Sequence, residues 1–297
     1  MAREKIKKLL QHCLGFILLF FPCFCDTHEK GYGRLGLFRV LSLHHIPDVN
    51  SFERLIEHLI ATCGLIKPEE AEDLIAGKAT GRTNGKIPYL LTFDDGFRSH
   101  GRLVRGVLDH YGVKAVFFIC PGIMEMAPED QRIAVARFVF DPPIPETEVT
   151  EGMLPLSWHE AEGLFKAGHT IGSHTFGHKK VASLDEDALS RELEESASMI
   201  EQKLGVATNW FAFPWGDIES IDERSLRLAS RRYRFCCSTI PSVNSPETAS
   251  LILFRMGVDL RSPFLYQRMI LAGGLDFLAM KKARSLLKMA IDTKPTS

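Results

Sequence analysis

Two adjacent carboxylates, Asp94 and Asp95, close the apolar run "YLLTFDDGF". Neighbouring carboxylates repel each other, and an apolar strand ahead of them carries that repulsion toward the interior, where it costs more. In a solvated turn before Gly96 such a pair is ordinary. The apolar strand argues instead for a bound cation, which would stabilise one carboxylate and leave the other ionised as a base. A second segment, "GSHTFGH", spaces His174 and His178 four residues apart. That spacing presents two imidazoles to one metal if the segment turns helically, although Gly177 disfavours a regular helix. Alone, the two histidines read better as polar residues of a solvated loop. Two histidines with one carboxylate make a divalent-metal ligand set that leaves positions open for water and substrate.

Three further stretches carry chemistry-bearing residues. "FAFPWG" sets Pro214, Trp215 and Gly216 in an aromatic turn, while Phe211 and Phe213 suit the core. A backbone N–H after Pro214 would face developing negative charge. "SLHHI" ends in His44 and His45; a histidine there is either a satisfied core residue or, beside a metal, a proton donor to a leaving amine. Arg255 in "LFRMG" is either a surface residue or a partner that holds Asp94 ionised.

Elements must position these residues, and the hydrophobic pattern supplies them. "LFRVLSLHHI" (37–46), "IPYLLTF", "VKAVFFI", "HTIGSH", "NWFAFPWG", "RFCCSTI" and "LFRMGVD" read as strands. Between them lie helical patterns: "SFERLIEHLI" with Ser51 as N-cap, a short helix from Pro68, "GRLVRGVLDHYG", "LSWHEAEGLFKAG" with a Ser157/Glu160 capping box and Gly168 as stop, a long helix ending at Gly205, and "RSLRLASRRY". "GRTNGK" reads as a turn, and residues 124–155 as an insertion with a short helix and a Pro-rich loop. Strands alternating with helices imply a mostly parallel sheet with ligands at the strands' C-terminal ends. Nearly all the residues singled out above sit at such ends.

The bulk properties exclude some classes. The chain has 297 residues, 45% hydrophobic and 25% charged, suiting one large domain or two small ones. A formal net charge of -1 gives no electrostatic case for nucleic acid. Cysteines at 13, 23, 25, 63, 120, 236 and 237 are odd in number and lack zinc-ribbon spacing, so they read as mostly reduced, buried thiols. The N-terminus places basic "REKIKKLL" before apolar "CLGFILLFFPCFC". That run falls short of the about 20 residues a span needs. It is expected to be a retained membrane-associated segment, or alternatively a signal peptide. C-terminal "FLAMKKARSLLKMAI" is a basic amphipathic stretch, expected to pack on the domain with its basic face solvated. The divisions are then 1–36, 37–262 with the insertion, and a helical tail over 263–297.

Taken in order, "TFDDG", "SHTFGH" and "FAFPWG" resemble the polysaccharide deacetylase family (carbohydrate esterase family 4, the NodB-like domain) over roughly residues 38 to 260. The resemblance implies an α/β fold, a distorted (β/α)7 barrel related to the TIM barrel. It implies a metal-dependent hydrolase that removes N- or O-acetyl groups from sugars. Carried over, Asp95, His174 and His178 bind the metal and Asp94 is the general base. Pro214 and Trp215 line the acetyl pocket, with the Trp215 N–H on the oxyanion. Zinc is expected from the ligand types, while cobalt, nickel, manganese and iron suit the same set.

Two departures matter. The family's third motif carries an arginine two residues before the proline, where this chain has Ala212; its late Leu-x-x-His motif is not visible. Deacetylases of exopolysaccharides such as poly-N-acetylglucosamine form a permuted subgroup whose acid histidine comes from an early motif. "LSLHHI" is similar to that motif, with His44 the better match and His45 the second, and Arg255 is the candidate replacement for the arginine. The expected partner is an acetylated glycan or lipid-linked sugar in exopolysaccharide or cell-envelope glycan synthesis. Membrane contact is expected through the N-terminal segment, at the cytoplasmic face or, after export, outside. The competing readings are a catalytically impaired glycan-binding domain and a metal amidase on another acylated substrate.

Overall fold

The structure, a computed structural model, describes residues 36–78 and 86–293. The basic–apolar N-terminal segment, except Gly36, lies outside the described residues, as does the "GRTNGK" turn apart from Lys86.

The first strand, β1 (Arg39–Leu43), leads to helix α1 (Val49–Thr62). The N-cap of α1 is Asp48 rather than Ser51: its carboxylate accepts from the N–H groups of Asn50 and Ser51, at 3.3 and 2.8 Å. A carboxylate at an N-terminus also meets the positive end of the helix dipole, which places the start of α1 earlier than the serine suggests. Short β2 (Leu65–Ile66) and α2 (Pro68–Ile75) precede β3 (Tyr89–Phe93). A π-helical turn, His100–Val104, then opens into α3 (Arg105–His110) and β4 (Ala115–Ile119). The insertion follows as α4 (Pro121–Met124), α5 (Pro128–Ala134), a π-helical turn Val135–Val139 and two 3-10 turns. Next come α6 (Trp158–Lys166) with its Ser157/Glu160 capping box, β5 (Thr170–Ser173) and α7 (Glu186–Leu204), which stops at left-handed Gly205. The chain continues through β6 (Trp210–Ala212), α8 (Glu223–Arg232), β7 (Phe235–Cys237), α9 (Pro246–Ala249) and β8 (Met256–Gly257). Helices α10 (Phe264–Leu271) and α11 (Asp276–Asp292) complete it.

All strand pairings within the sheet are parallel, in the order β7-β6-β5-β4-β3-β1-β8. β2 holds the edge of β3 at Tyr89 and Leu90 before β4 takes it over from Leu91. The two ends of the sheet meet through one stretch: Leu253 bridges Cys237 of β7, and Met256 pairs with Leu41 of β1. The result is a distorted (β/α) barrel. The expected final strand over 253–259 is regular only at Met256–Gly257, because the chain turns Arg255 into the interior between those two contacts.

Alternation along the strands sorts side chains to two faces. Val40, Leu90, Val116, Phe118, Trp210, Phe235, Cys237 and Leu253 pack together inside the barrel, where Ala71 and Leu74 of α2 join them. Leu41, Leu91, Phe93, Phe117 and Ile119 face outward onto Phe52, Leu55, Leu108 and Leu164 of the helices. Gly172 of β5 is an interior position: a Cβ there would lie 2.6 Å from the Phe118 ring and 2.9 Å from the Trp210 carbonyl. The insertion builds its own small core from Ile123, Ala134, Val135, Val149 and Leu154 against Phe97, beside the C-terminal end of β3. Cys120, Cys236 and Cys237 are buried free thiols and Cys63 is half-buried, while Cys13, Cys23 and Cys25 lie outside the described residues.

Candidate active site

The ends of β1, β3 and β5, the turn after β6 and the stretch before β8 converge on the two aspartates. Asp94 continues the interior-facing alternation of Leu90 and Thr92, and it is 1% exposed. Arg255, 0% exposed, reaches it across the barrel. The Arg255 Nη1 donates to Asp94 Oδ1 at 2.6 Å and Nη2 to Oδ2 at 2.8 Å. The guanidinium is itself held by the Ser238 carbonyl at 2.8 Å and the Thr92 hydroxyl at 3.1 Å, with the Phe118 ring 5.2 Å away. Ser42, two residues before His44 on β1, donates to Asp94 Oδ2 at 3.1 Å. Burial alone would push the Asp94 carboxyl up, and the Arg255 guanidinium, aided by His174 and His44, overcomes that and holds it well below the usual carboxylate range. Buried Ala212 stands where the resemblance called for an arginine, and the positive charge beside Asp94 comes from Arg255.

Asp95 points to the other half of the site. Its Oδ1 lies 3.5 Å from His174 Nε2 and 3.2 Å from His178 Nε2. The segment carrying the histidines is a turn with Thr175 at φ 63° and His178 at φ 54°, not the helical turn that the i, i+4 spacing allowed. The outer nitrogens decide the protonation of the rings. His174 Nδ1 lies 2.8 Å from the Ala212 carbonyl oxygen, and His178 Nδ1 lies 2.6 Å from that of Phe138. A carbonyl only accepts, so each Nδ1 carries a proton, and in the neutral form of each ring Nε2 turns a lone pair toward Asp95. Burial lowers the His174 pKa to about 4, so this ring is neutral at pH 7. Three lone-pair atoms facing one another repel unless positive charge sits between them. These atoms all lie within 4.8 Å of one another, and the three residues are buried. The donor set therefore fits a divalent cation, with the outer hydrogen bonds fixing both ring tautomers.

The remaining residues divide by position. His44 Nε2 is 3.8 Å from Asp94 Oδ2, with its side chain 54% exposed to the open side of the site. His45 turns away, its Nδ1 3.4 Å from the Ser99 hydroxyl and its ring edge-on to Phe97. Pro214 is buried, and the Trp215 ring centroid lies 4.7 Å from that of His178. Trp215 has φ 58°, and its carbonyl accepts from the Thr239 hydroxyl. Gly216 follows at φ 59°, where a Cβ would meet the Thr239 N–H nitrogen at 2.8 Å. All four non-glycine residues with positive φ among the described residues, Asp95, Thr175, His178 and Trp215, belong to this site. Such clustering of backbone strain is a property of functional sites.

The structure adds groups that sequence reasoning missed. Ser42 had a usable signal, since it shares a strand face with His44. His100 is fully buried, its Nε2 3.1 Å from the His44 carbonyl, in the π-helical turn whose irregularity hides it from periodicity. The Phe138 carbonyl has no side-chain signal at all, yet it orients His178 and draws the insertion into the site. A cavity of about 590 Å³ lies between the insertion and the start of α6, lined by Arg98, Arg132, Glu151, Leu154 and Trp158 among others, with none of the site residues above in its walls.

Residues 81–232 match the family described as polysaccharide deacetylase, just over half of the chain. The chain belongs to this family. Solved structures share its fold. The Streptococcus pyogenes deacetylase PplD, in complex with acetate, is 18% identical with a TM-score of 0.61 over 78% of this chain and 97% of that one. IcaB from Ammonifex degensii is 20% identical, TM-score 0.61, over 80% and 97%. The BpsB deacetylase domain from Bordetella bronchiseptica is 19% identical, TM-score 0.59, over 76% and 97%. Among curated proteins, the uncharacterized protein YlxY of Bacillus subtilis is 38% identical over 56 residues, a match spanning 19% of this chain and 18% of that relative. In this family member the strand carrying His44 comes first in the chain and lies beside the strand carrying the aspartates.

Proposed function

We propose that the protein is a metal-dependent deacetylase that hydrolyses N-acetyl groups, with O-acetyl groups as the alternative, on a polysaccharide or glycolipid sugar of exopolysaccharide or cell-envelope glycan synthesis. One observation carries this reading. Three buried lone-pair atoms, from Asp95, His174 and His178, face one another beside a second carboxylate that a buried arginine keeps ionised. Asp95, His174 and His178 would hold the cation. A bound divalent cation, zinc by ligand type, supplies Lewis acidity and lowers the pKa of water from about 15.7 towards 7.

The chain's own residues do the rest. Asp94, fixed by two Arg255 N–H groups and the Ser42 hydroxyl, accepts the proton of the attacking water. Its depressed pKa makes that proton easy to give up again, and His44 Nε2 lies 3.8 Å from the same Oδ2. His44, open to solvent on one side, protonates the departing amine. Among the described residues no hydrogen bond occupies the Trp215 N–H, leaving it for the oxyanion of the acyl carbon. Pro214 and the Trp215 ring wall the acetyl methyl group.

The test is acetate release from N-acetylglucosamine oligomers and lipid-linked sugars across a panel of zinc, cobalt, nickel and manganese. Release is expected with at least one metal, and Asp94→Asn should lower it by about 100-fold or more, the scale of general base catalysis. Sugar binding without acetate release under every metal would refute the reading in favour of a glycan-binding domain. Release of a different acyl group would favour the amidase.

A further inference from the structure

Helix α11 buries one stripe and exposes a second of unusual composition. Ala279, Ala283, Leu286 and Ala290, spaced i, i+4, i+7 and i+11, pack on Leu226 and Ala229 of α8 and their neighbours. On the outer side Phe277 is 59% exposed, Leu278 67%, Met280 50% and Ile291 55%. These are four of the seven large apolar side chains exposed among the described residues. Between and around them stand Lys281, Lys282, Arg284 and Lys288, all exposed. None of these four cations has a carboxylate partner among the described residues, and the first-turn Asp276 is engaged with Arg39 at 2.8 Å. Phe277, Lys281, Arg284 and Lys288 fall on one outer line, with Met280 and Ile291 alongside.

We propose that this face of α11 docks onto an anionic lipid surface. Apolar side chains that would enter the acyl boundary alternate with cations whose long stems reach back to the headgroups, the pattern of an interfacial helix. The composition argues against a protein partner, since lysine is depleted from protein–protein interface cores. A second copy of this chain is disfavoured too, because a two-fold contact would set the same unpaired cations against themselves. The helix lies on the flank of the barrel against α8, so docking leaves the strand ends and their carboxylates uncovered.

The experiment is sedimentation of the full chain with vesicles of phosphatidylcholine alone and of phosphatidylcholine with phosphatidylglycerol. Binding should require the anionic lipid and weaken with added salt. Replacing Lys281, Arg284 and Lys288 by glutamine should lower vesicle affinity about fivefold per cation, about a hundredfold together. Phe277→Ser with Met280→Ser should lower it as well. These side chains are exposed, so the far-UV circular dichroism of both variants should match the parent. Vesicle binding that the variants leave unchanged would overturn the proposal, placing the contact elsewhere in the chain. Equal binding to neutral vesicles would overturn it, as would a dimer in analytical ultracentrifugation that Phe277→Ser dissociates.

Discussion

Arg255→Met separates the charge of the guanidinium from its bulk. In the parent, a fully buried arginine meets a carboxylate 1% exposed through contacts of 2.6 and 2.8 Å. Two unit charges about 4 Å apart at an effective dielectric of about 20 attract by about 4 kcal/mol. Removing one partner of a buried pair costs about 3–5 kcal/mol, because the other charge is left uncompensated. The variant should therefore lose about 3–5 kcal/mol at pH 7, read from urea denaturation with EDTA present. The sign of the pH dependence follows from Asp94. In the parent its folded pKa is depressed, so its stabilisation is present above the unfolded value of about 3.9 and is lost as pH falls through the folded value. Without Arg255, burial dominates and the folded pKa rises above the unfolded one. The variant's deficit should then widen as pH increases from about 4 toward 7. The acid limb of the acetate-release profile should move to higher pH, since Asp94 must be ionised to accept a proton. Asp94→Asn combined with Arg255→Met should cost less than the sum of the single changes. A variant within about 1 kcal/mol of the parent at pH 7, with no widening of the gap, would show that Asp94 draws its compensation from somewhere other than Arg255.

The metal ligands and the buried histidines supply two further predictions. The parent should retain one equivalent of zinc after dialysis, whereas Asp95→Ala and His178→Ala should retain none by elemental analysis; retention by either would remove that residue from the ligand set. His100 and His169 are both lowered to about 4, each first by burial. The unfolded chain then takes up protons between about pH 6.5 and 4 that the native state refuses, so stability should fall across that window as pH drops, at about 1 kcal/mol per pH unit for each histidine. His169→Gln, remote from the metal ligands, should flatten the measured slope; an unchanged slope would mean that His169 titrates normally in the folded protein.

Most of the architecture was legible because period and punctuation agreed. The continuous apolar run before Asp94 reads as a strand buried on both faces, as β3 is, and Gly168 and Gly205 stop α6 and α7 where their left-handed conformations permit. Legibility failed where a better cap stood three residues earlier, as Asp48 does before Ser51, whose own N–H it accepts, or where a strand is interrupted, as at Phe254 and Arg255. The i, i+4 spacing of His174 and His178 suggested a helical turn, but left-handed Thr175 and His178 bring the rings together by another route.

Residue types and order in the chain determined which groups are available: two carboxylates after a strand, two histidines after another, an aromatic turn after a third. Each is a local property, expressed within a few residues by apolar runs and turn-forming glycines. Only the tertiary structure decided their protonation and partners. The lone pairs on His174 and His178 are set by carbonyls of Ala212 and Phe138, which are backbone groups far away in sequence and invisible to residue type. The charge that keeps Asp94 ionised comes from Arg255, 161 residues later, because closing the barrel through 253–257 brings that stretch against β1 and turns the guanidinium inward.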